Sequence, residues 1–157
     1  MICRTYKCAL FLLVAASLNP LAPGCAHAGL GGNSASVKTD GADLHGVVSY
    51  EIRSRYSVQE ITAESGMRVR EFLDENGSVF AVTWTGPVLP DLRLVLGERF
   101  AEYAAALAEL KHPGLQRSVR IAMPDLVVES GGHLRAYVGR AYLPVLVPPG
   151  VSLPDLR

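Results

Sequence analysis

His133 and Arg135 are the side chains whose types and spacing point most directly to recognition: an imidazole two residues from a guanidinium, just after Gly131-Gly132. If the two glycines make a turn and a strand follows, alternation puts both side chains on one face. There they would hold a carboxylate or phosphate through charge-assisted hydrogen bonds. A solvated hairpin end accounts for the same residues, since turns are usually this polar. Trp84, the sole tryptophan, ends an apolar stretch beside Gly86-Pro87. Exposed, its ring would stack on a ligand; buried, it would anchor the core. His133, Arg135 and Trp84 are the candidate binding residues.

Other chemistry finds less support. His45, His112 and His133 stand in separate segments, without the His-x-x-x-His spacing that seats zinc on a helix. His112 fits a helix end, where a cation meets the last carbonyls. No metal ligand and no cofactor is expected. A Gly-x-Ser-x-Gly nucleophile elbow is absent, and no catalytic residue is assigned. Glu60, Glu71 and Glu129 fall on expected strands, where acid–base chemistry would need them to converge. Solvent-facing ion pairs with Arg53, Arg68 or Arg70 explain the same alternation. Beyond residue 28, arginine outnumbers lysine 11 to 2, but the arginines are spread over most elements.

The first 28 residues read as an address. Arg4 and Lys7 precede the apolar run Cys8–Leu18, Asn19-Pro20 breaks it, and Ala26-His27-Ala28 carries the small residues of a signal peptidase site. Cleavage is expected between Ala28 and Gly29; a lipoprotein cut before Cys25 is the rival. The apolar run is shorter than the ~20 residues a membrane-spanning helix needs, so no membrane association is expected after cleavage. Cys3, Cys8 and Cys25 all lie in this segment, which leaves the remainder without thiol or disulfide. The full chain has 15 Lys+Arg and 15 Asp+Glu; losing Arg4 and Lys7 leaves 13 against 15, a net charge of −2. A nucleic-acid partner is not expected from that balance. The expected location is periplasmic or secreted.

Residues 29–46, with five glycines, read as a flexible leader in which a short helix over 34–44 is conceivable. From Val47, the segments VVSYEIRS, YSVQEITA, MRVREFLD and SVFAVTWT read as four strands. Glu64-Ser65-Gly66 and Glu75-Asn76-Gly77 turn between the last three. In the fourth, Phe80, Val82 and Trp84 are expected on one side and Val79 and Ala81 on the other, which suits a central strand. Pro90-Asp91 starts a helix whose stripe is Leu92, Leu96, Phe100, Tyr103, Leu107 and Leu110; Gly97 should bend it or bring its backbone close to the sheet. A second hairpin follows, with Gly131-Gly132 as its turn and Pro124 at a bulge or edge. The fold expected is α+β: a mainly antiparallel sheet of about six strands (four strands, one amphipathic helix, two strands), with the helix on one face. The domain would span 47–143, and 144–157 would form a Pro-rich extended tail.

The phrases REFLDENGSVFAVTWTGPVLPDLRLVLGERFAEY and LVVESGGHLRAYVGRAYLP resemble a family of small exported proteobacterial proteins that carries only a domain-of-unknown-function label. The resemblance runs from about Gly29 to Val151. It implies a periplasmic or secreted bacterial protein and carries over no activity, cofactor or catalytic residue. The function expected is therefore that of a noncatalytic binding domain of the cell envelope, acting through the sheet face or edge left open by the helix. Its partner would be another envelope protein or a second copy of the chain. The alternative is a small periplasmic hydrolase with its site near Trp84, His133 and Arg135.

Overall fold

The computed structural model describes residues 29–34, 42, 45–110 and 118–156. The segment 1–28, with Cys25 and Ala28, lies outside the described residues, as do most of 34–44 and His112. Four strands come first: β1 (Gly46–Ile52), β2 (Ser57–Ala63), β3 (Arg68–Leu73) and β4 (Val79–Gly86). The helical segment has two parts, α1 (Leu92–Leu96) and α2 (Phe100–Ala108), joined by a 3-10 turn at Gly97–Arg99. Strands β5 (Ser118–Ala122), β6 (Val127–His133) and β7 (Ala136–Tyr142) follow. The sheet has seven strands rather than six, because the stretch after the helix forms two strands around a Pro124-Asp125 turn closed by Met123 N–H to the Leu126 carbonyl. Pro124 therefore sits where no ladder needs its missing donor.

All pairings are antiparallel, in the order β1-β2-β3-β4-β7-β6-β5. Two meanders meet where β4 pairs with β7, and the helical segment carries the chain from the centre to the far edge. Asp91 caps α1 by accepting from Arg93 N–H. At Gly97 the backbone takes φ 53, and a Cβ there would lie 3.2 Å from Gly29 Cα. The helix thus breaks and approaches a neighbour, and that neighbour is the segment before β1 rather than the sheet.

Leu30, Gly31 and Gly32 extend that contact through main-chain hydrogen bonds. Leu30 N–H donates to Val95, Gly31 N–H to Val79, and Val79 N–H returns to Gly32. Leu30 is buried with Val95, Leu96 and Tyr103. Glycines here allow close backbone approach, and a single leucine supplies the apolar contact.

The helix covers one face of the sheet. On that face Ile61, Val69, Val82, Trp84, Ala141, Val128 and Ile121 pack against Val95, Leu96 and Tyr103. A register shift between Phe72 and Leu73 corrects the simple alternation expected in β4. Val79, Val82 and Trp84 face the helix, whereas Phe80 and Ala81 both join the opposite cluster with Val58, Phe72, Val127 and Tyr142. The end of the chain covers this second cluster: Val147, Val151, Leu153 and Leu156 pack on it, with 3-10 turns at Pro144–Leu146 and Leu153–Asp155. Prolines suit those turns, whose first positions need no donor.

Candidate functional site: the open half of the sheet

The face away from the helix has an ordered composition because facing residues in an antiparallel ladder share a side. One transverse row reads Val58, Phe72, Ala81, Tyr142, Val127 and Ala122, and the tail lies over most of it. The next row is Glu60, Arg70, Thr83, Arg140, Glu129 and Arg120. A third is Thr62, Arg68, Thr85, Val138, Gly131 and Ser118. The last two rows stay open and enclose a groove of about 700 Å³, with Leu156 at one edge.

Most charges here are arranged in cross-strand pairs. Arg70 donates through Nε to Glu60. Arg140 donates through Nε to Glu129 at 2.6 Å, and Arg120 Nε lies 3.3 Å from the other carboxylate oxygen. Arg140 also reaches the Leu153 carbonyl at 3.2 Å and lies over the Tyr142 ring, which fixes the tail against the charged row. The ion pair expected for Glu60 is therefore present with Arg70, Glu129 pairs instead with Arg140 and Arg120, outside the partners expected from sequence, and Glu71 differs. It faces the helix side between Gln59 and Val82 and is 1% exposed. Four guanidiniums, from Arg68, Arg70, Arg120 and Arg140, line the groove against the single lining carboxylate of Glu129.

The three candidates chosen from sequence do not converge. Trp84 is 1% exposed in the core on the helix side. Its Nε1 has no hydrogen-bond partner among the described residues. Gly139 lies directly opposite, and a Cβ there would overlap the indole, so the missing side chain makes space for the ring. His133 ends β6 on the other face, and Arg135 stands in the turn with φ 67. The turn is Leu134-Arg135, not Gly131-Gly132, and the reason lies in the core. A two-residue turn at the glycines would set Arg135 opposite Val128, whereas the observed register sets Ala141 there. Gly132 instead permits close approach to the Ala136 carbonyl. His133 is exposed and its Nδ1 lies 3.3 Å from the Leu134 carbonyl.

The arginine face was missed because no short motif announces it. Its members come from β3, β5 and β7, separated in sequence by the helical segment, and only the β4–β7 pairing unites them. Arg-x-Arg at 68–70 was the available signal, since residues two apart on a strand share a face. No cluster of three or more potential metal ligands occurs among the described residues. No helix among them is long and apolar enough to cross a membrane.

The fold and face together define an α+β domain with one packed sheet face and one half-open, arginine-lined face. The chain belongs to the family described as protein of unknown function (DUF2844), whose model matches residues 26–156. No curated protein and no solved structure matches the chain.

Proposed function

We propose that this chain is an exported, noncatalytic binding domain of the bacterial envelope, and that the open half of its sheet is the binding surface. The observation that carries this reading is the groove itself: a concave surface with convergent polar groups on a rigid sheet, which is where ligands bind. Binding domains require such a preformed surface but no activated nucleophile. The hydrolase alternative needs Trp84, His133 and Arg135 around one substrate, and their separation onto a core face, a strand end and a turn gives it no support.

A photoreactive side chain placed at Thr85, within the groove, tests the binding surface in cells that make the protein. The expected result is a discrete crosslinked adduct from Thr85 and none from an equivalent group at Glu102, on the exposed side of α2. Equal labelling at both positions, or no adduct at Thr85, would remove the open face as a binding surface.

A further inference from the structure

We propose that the groove binds a linear oligoanion bearing carboxylate or phosphate groups, and that Arg68 is its free anchor. This deepens the binding-surface reading above and rests on it. Arg70, Arg120 and Arg140 each have a carboxylate from the protein, but Arg68 has none among the described residues. Its row explains why: Thr62 and Thr85 flank it, followed by Val138, Gly131 and Ser118, so no acidic residue is in register with it. Among the described residues the Arg68 side chain makes no hydrogen bond or ion pair, and it is exposed.

A lone surface arginine is ordinary; one on the wall of a concavity shared with three further guanidiniums is different. Four guanidiniums there meet two carboxylates, Glu129 in the lining and Glu60 on Arg70, so the positive charge is only partly offset, and a concave low-dielectric wall focuses such a field. Each guanidinium has five N–H donors, so Arg120, which uses Nε on Glu129, keeps donors for a ligand. Thr83, Thr85 and Ser118 add hydroxyls between the charges.

Spacing selects an oligomer over a single anion. Arg68 and Arg70 are two residues apart along a strand, roughly 7 Å, and Arg70, Arg140 and Arg120 stand at every second strand, roughly 10 Å apart. One phosphate cannot span those positions, whereas a chain of anionic groups can engage them together. Gly131, Gly139 and Trp84 are among the lining residues, but Trp84 is 1% exposed and packs into the cluster under the helical segment, so it presents no open ring to the groove. Stacking of bases or sugars, which needs an aromatic platform, is therefore not the mode of binding among the described lining residues.

Titration of the full chain by calorimetry with two probes, inorganic tripolyphosphate and tetraglutamate, tests the proposal. Saturable binding of at least one is expected at about 50 mM salt, weakening severalfold at about 200 mM as the screening length shortens and the attraction between the guanidiniums and the ligand is damped. The probe bound more tightly identifies phosphate or carboxylate as the source of charge. Arg68→Ala should weaken binding about tenfold, and Arg68→Lys, which keeps the charge but not the fork, by less. Arg93→Ala, on the helical segment, serves as the folded control and should bind like the parent. No saturable binding by either probe, salt-independent binding, or an Arg68→Ala variant that binds like the parent would overturn the oligoanion inference. A Thr85 adduct that persists alongside any of these results would leave the binding surface standing and remove only the ligand assigned to it.

Discussion

At the residue scale, two positions show how a side chain's role is set by what stands opposite it. Trp84 fills the space that Gly139 leaves, so the pair acts as one packing unit across β4 and β7. Trp84→Ala should destabilise the protein by about 3 to 5 kcal/mol, read from urea unfolding. Gly139→Ala should cost on the order of 1 to 3 kcal/mol through overpacking, and Trp84→Phe in the same chain should recover part of it. Additive losses in the double variant would mean the two positions are not coupled. Arg135 holds a left-handed conformation that costs a non-glycine residue roughly 1 to 2 kcal/mol. Arg135→Gly relieves that strain at some cost in unfolded-chain entropy, and a net gain of about 0.5 kcal/mol is expected in the same unfolding experiment. Sequence showed a tryptophan, a glycine pair and a histidine–arginine pair; it did not show which glycine faced the indole, because that depends on a pairing made across more than fifty residues.

At the element scale, the helical segment is held by its caps and neighbours rather than by its own length. Its apolar stripe was legible from spacing alone, and Tyr103 and Leu96 are buried as that stripe implies. The break at Gly97 was legible only as a weakness, since its cause is the approach of Gly29. Arg99 ties the break to the β5–β6 turn by pairing with Asp125 at 3.1 Å, as well as with Glu102. Burial pushes the Tyr103 hydroxyl above its ordinary pKa of 10.0. Below that value the tyrosine is protonated in both states and costs nothing. As pH rises through it, the unfolded chain releases the proton more readily, so stability should fall. Tyr103→Phe should flatten this alkaline loss in a series of unfolding curves between about pH 9 and 11, while changing little at neutral pH. An unchanged alkaline slope would place the loss elsewhere.

At the scale of the whole molecule, the two sheet faces are finished by different parts of the chain. The helical segment covers one, and the last ten described residues cover half of the other. Leu156 is 2% exposed beside Phe80 and Tyr142, so Leu156→Ala should cost about 2 to 4 kcal/mol, and removing residues 147–157 should cost more and raise binding of an apolar dye. A truncated chain that melts like the parent would mean the second cluster does not need its cover. Sequence by itself determined the strand segments before the helix, their Gly66 and Gly77 turns, the stripe of the helix and the cross-strand alternation of arginine with glutamate, because each of these depends on residues close together in the chain. The tertiary structure alone decided the seventh strand, the bulge at Phe80, the shift of the last hairpin turn to Leu134-Arg135 and the gathering of four arginines into one groove. Each of those depends on which apolar residues must reach the same core, and that constraint acts between segments the chain separates widely.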